Sequence, residues 1–128
     1  MELPCMITTH TLDIDTNAEV IEYNGMKYDC ELAVKRDKQL IIQEAELSHK
    51  DELERLYDKE SLSIDSARIC VDSDGKPIYI MLIYVIKYKD GKGGRYGCGD
   101  YYPITNALKN EDGNVIVFPH PYQTSICW

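Results

Sequence analysis

Residues 77–89 read PIYIMLIYVIKYK, and every residue from Ile78 to Ile86 is apolar or aromatic. Branched aliphatic and aromatic side chains in such a run favour a β-strand. Because successive side chains of a strand point to opposite faces, a strand that is apolar at every position belongs in the middle of a sheet with both faces covered. We therefore predict a central strand here. The run is too short for a helix that crosses a membrane.

The sequence around this strand predicts an antiparallel meander. The segment ARICVD, residues 67–72, precedes a turn at 73–76 that contains Asp74-Gly75, and RYGCGDYY, residues 95–102, follows a glycine-rich stretch. Gly after Asp is typical of a tight turn between strands. A last strand is predicted in NVIVFP, residues 114–119.

The first part of the chain contains a hairpin signal. Asn24-Gly25 lies between two runs of strand-forming residues, 18–23 and 26–34, and this dipeptide suits a type I′ turn because both positions take positive φ. After a turn at 35–38, the segment QLIIQEA, residues 39–45, is predicted as a third strand on the strength of its two isoleucines, with a helix as the alternative for residues 39–47.

One helix is predicted near residues 49–60. Ser48 has the side chain of an N-cap, acids follow it in the first turn, and Leu53, Leu56 and Tyr57 recur at helical spacing. The chain of 128 residues is therefore predicted to be one α+β domain, residues 1–128. Its expected architecture is an antiparallel β-sheet of roughly six to seven strands with one main amphipathic helix near 49–60.

The stretch KDGKGGRYGCGD, residues 89–100, matches neither the P-loop spacing nor GxGxxG. Its glycines predict a hairpin loop. Lysine, arginine and tyrosine residues are frequent in and around this stretch. In an alternative interpretation, residues 87–102 are therefore the site for an anionic or nucleotide ligand. Tyrosine would stack on the ligand and arginine would pair with its negative charge. That candidate set comprises Lys89, Lys92, Arg95, Tyr96, Tyr101 and Tyr102.

Charge divides the chain unequally. Residues 1–65 hold 16 acids and 7 bases, a balance of −9, whereas the rest holds 6 acids and 7 bases, a balance of +1. An acidic surface repels nucleic acid and anionic membranes and attracts basic proteins. The chain also has 10 tyrosines against 1 phenylalanine and 1 tryptophan, an aromatic balance typical of binding surfaces. The predicted partner-binding residues are Glu44, Glu46, Asp51, Glu52 and Glu54.

These features favour a small, acidic, non-enzymatic binding protein, an inhibitor or immunity-type module that occludes a basic site on a partner protein. Two alternatives stay open: the ligand-binding protein that uses residues 87–102, and a structural subunit of a viral or other assembly. No motif for catalysis, a metal or a cofactor is found, and the expected partners include neither nucleic acid nor a membrane. Homo-oligomerisation is left open, and the cytoplasm is the expected compartment because the five cysteines form no disulfide pattern and no signal peptide is recognised.

Overall fold

The computed structural model describes residues 8–12, 14–15, 17–104 and 108–118. Its helices and strands follow one another in a mixed order, with a pair of helices between two groups of strands. In chain order they are β1 (Thr8–Leu12), β2 (Ile14–Asp15), β3 (Val20–Tyr23), β4 (Met26–Asp29), α1 (Glu31–Ser48), α2 (Lys50–Leu56), a 3-10 turn (Lys59–Ser61), β5 (Ser63–Val71), β6 (Pro77–Lys87), β7 (Gly94–Pro103) and β8 (Val115–Ile116).

The described strands form two four-stranded sheets. The first has the order β1-β5-β6-β7 and is antiparallel throughout, and the second has the order β2-β3-β4-β8. In the second sheet β4 and β8 are parallel, with Tyr28 opposite Val115. The predicted α+β class with antiparallel sheet is confirmed.

Strand β6 lies between β5 and β7, as its apolar sequence predicts. Its alternate residues Ile80, Leu82, Tyr84 and Ile86 are at most 1% exposed and belong to the main core. On the opposite face Tyr79 and Met81 are also buried, but Ile83 and Val85 are only half-buried. The side chains of β6 are therefore fully buried on one face, as predicted, and only partly buried on the other.

The β3–β4 hairpin confirms the predicted Asn24-Gly25 turn. Tyr23 pairs with Met26, and Asn24 and Gly25 have φ of 50° and 79°. The second strand is much shorter than the predicted 26–34, because β4 ends at Asp29 and a helix begins at Glu31. The Asp29 carboxylate accepts a hydrogen bond from the Glu31 amide, 3.0 Å away, at this junction.

Helix α1 corrects two predictions. The turn predicted at 35–38 and the strand predicted at 39–45 are both wrong, since α1 is helical from Glu31 to Ser48. The residues that it buries recur at helical spacing and face the sheet: Ala33, Val34, Asp37, Ile41 and Ala45. Four of them are apolar and the fifth is a carboxylate, which explains why no continuous apolar stripe is visible in the sequence.

Helix α2 lies inside the predicted range 49–60, and the backbone leaves it at Tyr57. Ser48 is not its N-cap: His49 holds that position with φ of −138°, and Ser48 ends α1. The Ser48 hydroxyl instead donates a hydrogen bond to the Glu44 carboxylate, 3.0 Å away. Backbone hydrogen bonds continue through His49, which donates to Ala45 and accepts from Leu53, so the two helices follow each other across a single irregular residue.

The glycine-rich stretch forms the predicted hairpin loop. The amide of Tyr88 donates to the carbonyl of Gly93 across 3.1 Å, and Gly91 and Gly93 have φ of 75° and 94°. Strand β7 then pairs with β6 from Gly94 to Pro103 with one irregularity in register.

Candidate functional site

The five predicted partner-binding carboxylates are all exposed. Glu44 and Glu46 lie in the last turns of α1, and Asp51, Glu52 and Glu54 lie on α2. Because His49 alone separates the two helices, the structure brings all five onto one helical segment, 44–54. We call this segment the acidic helix surface.

Some of these carboxylates have partners within the chain. Glu46 lies 3.7 Å from the Lys59 ammonium, and Asp51 lies 3.3 Å from Nε of Arg55 one turn later. These pairs are largely exposed, so each contributes less than about 1 kcal/mol to stability. Within the part of the chain that the structure describes, no hydrogen bond or ion pair engages the side chains of Glu52 and Glu54.

A large apolar side chain lies among these charges. Leu47 is 83% exposed, more than any other exposed large hydrophobic residue of the described chain. A single exposed leucine is common on protein surfaces. Leu47 belongs to the same segment, 44–54, as the five carboxylates.

A groove lies where α2 meets the β6–β7 loop. Residues 56–58 run beside residues 87–89: the amide of Asp58 donates to the carbonyl of Lys87 across 2.9 Å, and the amide of Lys89 donates to the carbonyl of Leu56 across 2.8 Å. The rings of Tyr57 and Tyr88 stack with centroids 5.0 Å apart. The hydrogen bond to Tyr57 raises the pKa of Tyr88. These contacts fix the end of α2 against the hairpin.

This α2–loop groove has a volume of about 380 Å³. Leu53 and Tyr57 are its buried floor, at 0% and 5% exposure. Its exposed rim consists of Glu54, Asp58, Lys59, Glu60 and Lys89. The groove therefore has an exposed charged rim above two side chains that are almost fully buried.

The positive charges of the rim are already engaged. The Lys89 ammonium donates to the main-chain carbonyl of Glu54, in the last turn of α2, where cations are favoured by the orientation of the peptide dipoles. Lys59 is paired with Glu46. The Glu60 carboxylate, like that of Glu54, has no ion pair or hydrogen bond among the described residues. The rim therefore holds three carboxylates, of Glu54, Asp58 and Glu60, against two ammonium groups.

The candidate ligand residues of the loop are not brought together. Lys89 turns towards α2, whereas Arg95 is opposite Ile86 and shares its core-facing side of the sheet. Tyr96 is opposite Val85 on the other side and is 62% exposed. Lys92 lies in the exposed loop between the strands.

Two further tyrosines of that set are engaged elsewhere. Tyr101 makes an edge-to-face contact with Tyr79, centroids 6.4 Å apart. Tyr102 is fully buried, donates a hydrogen bond to Asp37 and accepts one from the Arg36 guanidinium, 3.1 Å away. The ligand-binding interpretation of residues 87–102 stays a prediction.

Asp37 is a buried polar residue that the sequence does not reveal. It is 0% exposed on the sheet-facing side of α1. The Tyr84 hydroxyl donates to its Oδ2 across 2.6 Å, and the Tyr102 hydroxyl donates to its Oδ1. Buried carboxylates need such donors, because an unpaired one would carry a large desolvation cost. The three side chains tie α1 to β6 and β7.

The surroundings of Asp37 change the acidity of its neighbours. Burial raises the pKa of Tyr84 and of Tyr102 well above the usual range, and the negative charge of Asp37 raises both further. Burial likewise raises the pKa of the Cys30 thiol. Asp37, Tyr84 and Tyr102 are all buried, so this hydrogen-bond network positions the helix against the sheet.

A larger cleft, of about 820 Å³, lies between the β3–β4 hairpin and residues 112–114. None of its lining residues is buried, and Asp15 in its wall already accepts a hydrogen bond from the Asn17 amide across 3.1 Å. In the described ranges no group of three or more His, Cys, Asp or Glu side chains is placed to hold a metal ion. Of these two pockets, the α2–loop groove has buried residues in its lining and the larger cleft has none.

Among the helices that the structure describes, none has the length and apolar character to cross a membrane. Comparison of the chain with protein-family models, with curated proteins and with solved structures finds no match.

Proposed function

We propose that this chain is an acidic inhibitor or immunity-type protein that binds a basic site on a partner protein through the acidic helix surface. The observation that carries this proposal is the exposure of all five carboxylates on segment 44–54, which also contains the exposed side chain of Leu47. Opposite charge accelerates association and selects the partner, and an apolar contact inside a charged surface slows dissociation.

The test starts from the tagged full chain as bait in a lysate of its native source. A retained protein is then purified, and its affinity for three forms of the bait is measured by calorimetry at two salt concentrations. One form is wild type. The second, E44Q/D51N/E52Q, removes three charges from the acidic helix surface. The third, E22Q/D65N/E111Q, removes three charges from exposed carboxylates elsewhere.

We expect E44Q/D51N/E52Q to weaken binding at low salt by about ten- to a hundredfold and to flatten the salt dependence, because each lost contact between opposite charges is of the order of 0.5–1 kcal/mol. The matched variant should bind as wild type does. Equal affinity and equal salt dependence for all three forms would refute the proposal. In that case the predictions of a small ligand at residues 87–102 and of a structural subunit would be the next to test.

A further inference from the structure

We propose that Asn24-Gly25, at the tip of the β3–β4 hairpin, is a site of spontaneous deamidation that the closed turn protects and an open turn exposes. This site belongs to the second sheet and is independent of the proposed function. Three observations support it: the reactive pair of neighbouring groups, the access of water to the tip, and the backbone conformation that keeps the reacting atoms apart.

The reaction joins the side-chain amide of Asn24 to the main-chain nitrogen of Gly25. This nitrogen gives its proton to base and attacks Cγ of Asn24, so that a new C–N bond forms. Nδ2 takes up a proton and leaves as ammonia, and the product is a five-membered succinimide ring. Water then opens the ring: cleavage of the bond to Cγ gives aspartate, and cleavage of the bond to the main-chain carbonyl carbon gives isoaspartate. Water is the only co-reactant, and nothing is oxidised or reduced.

The tip of the hairpin is open to water and uncrowded. This dipeptide is the only Asn-Gly of the sequence, both of its residues are exposed, and Gly25 lines the cleft of about 820 Å³. No atom lies within 4 Å of a Cβ added at Gly25. Within the described ranges no hydrogen bond holds the Asn24 side chain. The Asn110 side chain, by contrast, is held by hydrogen bonds with Asp29 and with two amides of its own loop.

The closed turn keeps the reacting atoms apart. Asn24 and Gly25 have φ of 50° and 79°. Two positive values are those of a type I′ turn and exclude type II′, whose second central residue has negative φ. The first central residue of a type I′ turn has ψ of about 30°, whereas the ring needs about −120°, as in type II′. Only near that value do the nitrogen and the side chain lie on the same side of the Cα–C bond, within reach of attack. The turn therefore has to open before Asn24 reacts.

Isoaspartate at this position disrupts the hairpin permanently. The two-residue turn sets the register in which Tyr23 pairs with Met26 and Glu22 pairs with Lys27. Isoaspartate carries the main chain through its side chain and so adds one carbon to the loop, which a two-residue turn has no room to absorb. The hairpin forms the middle of the second sheet, β2-β3-β4-β8. A chain whose turn has opened and reacted therefore carries a lasting defect in that sheet.

The experiment compares rates of deamidation at neutral pH in the folded full chain, in the same chain unfolded by guanidinium chloride, and in the peptide acetyl-Tyr-Asn-Gly-Met-amide. Proteolysis and mass spectrometry give the modified fraction at Asn24, and chromatography separates isoaspartate from aspartate. The unfolded chain should react as fast as the peptide, within about twofold. The folded chain should react about ten- to a thousandfold more slowly, because a minor open state holds about 0.1–10% of molecules. A folded chain as fast as the peptide, or faster reaction at another asparagine, would overturn the inference.

Three variants complete the test. In the unfolded chain, N24Q should suppress the reaction because its ring would need six members, whereas the matched N110Q should leave the rate at Asn24 unchanged. N24D has the charge of the deamidated product on a normal backbone, and aspartate tolerates positive φ. Its ¹⁵N spectra should retain the cross-strand contacts of residues 20–29, whereas the isoaspartate form, aged unfolded and then refolded, should lose them. An unsuppressed reaction in N24Q, or an isoaspartate form with the same cross-strand contacts as N24D, would refute the proposal.

Discussion

The close approach of Gly99 to Asp37 yields a quantitative test of how α1 is held. A Cβ added at Gly99 would lie 2.5 Å from Cγ and 2.8 Å from Oδ1 of Asp37, far inside normal contact distance. Gly99 is not among the glycines with positive φ, so alanine there is strained by this contact and not by the backbone. G99A must therefore displace the carboxylate.

The magnitude follows from what the displaced carboxylate loses. Its hydrogen bonds from Tyr84 and Tyr102 are each of the order of 1.5–3 kcal/mol because the acceptor is charged, and overpacking adds about 1–3 kcal/mol. Partial relaxation retains some of the bonds, so we expect G99A to cost about 3–6 kcal/mol. That is a large part of the roughly 5–15 kcal/mol that holds a domain of this size folded. The melting temperature should fall by roughly 10–25 °C, at about 4 °C per kcal/mol.

A double-mutant cycle in urea denaturation isolates the contact. D37A itself lowers the free energy of unfolding by about 2–4 kcal/mol, because it leaves two tyrosine hydroxyls unsatisfied. In this background, the methyl group that G99A adds enters the space of the missing carboxylate. G99A should then cost less than about 1 kcal/mol, so the coupling is of the order of 3 kcal/mol. D37N keeps the volume of the side chain and should give little relief. Equal costs of G99A in wild type and in D37A, within about 0.5 kcal/mol, would refute the packing described here.

Two further predictions concern stability. Because the pKa values of Tyr84, Tyr102 and Cys30 are raised in the folded chain, the unfolded chain loses these protons first as pH rises. The free energy of unfolding should therefore be level below about pH 9 and fall above it, steeply beyond pH 10. The loss should reach about 1.4 kcal/mol per pH unit for each group. Midpoints of urea unfolding that do not move between pH 8 and 11, or that move equally in the Y84F variant, would contradict this prediction. Gly25 has φ of 79° and no atom lies within 4 Å of an added Cβ. The G25A variant should therefore lower the free energy of unfolding by only about 1 kcal/mol, from backbone strain alone. A loss in calorimetry as large as that of G99A would show that the turn is more crowded than described.

The parts of the fold that follow from the sequence are those fixed by local chemistry. Asn24-Gly25 takes the positive φ values that its turn needs, and the uninterrupted apolar run of β6 places it inside a sheet. In both cases neighbouring residues contain the whole signal. The predicted partner-binding carboxylates are likewise exposed, as their sequence pattern suggests.

Helix α1 could not be predicted in the same way. Its buried stripe contains Asp37, and a carboxylate in the middle of an apolar pattern normally indicates a solvent-exposed face. The tyrosine donors that make its burial tolerable are 47 and 65 residues away along the chain. Ile41 and Ile42 favour a strand locally, and packing against β6 and β7 outweighs that preference. The α2–loop groove depends on pairing of 56–58 with 87–89 and is equally hidden in the sequence.

The parallel pairing of β4 with β8 also has a consequence for synthesis on the ribosome. Tyr28 and Val115 are partners although 87 positions separate them along the chain. At translation rates of about 5–20 residues per second, β4 is made roughly 4–17 s before its partner exists. The β3–β4 hairpin alone is too small to be stable in water. The second sheet can therefore be completed only after the helices and the meander have been synthesised, so during translation the edge of β4 is accessible to chaperones and to other nascent chains.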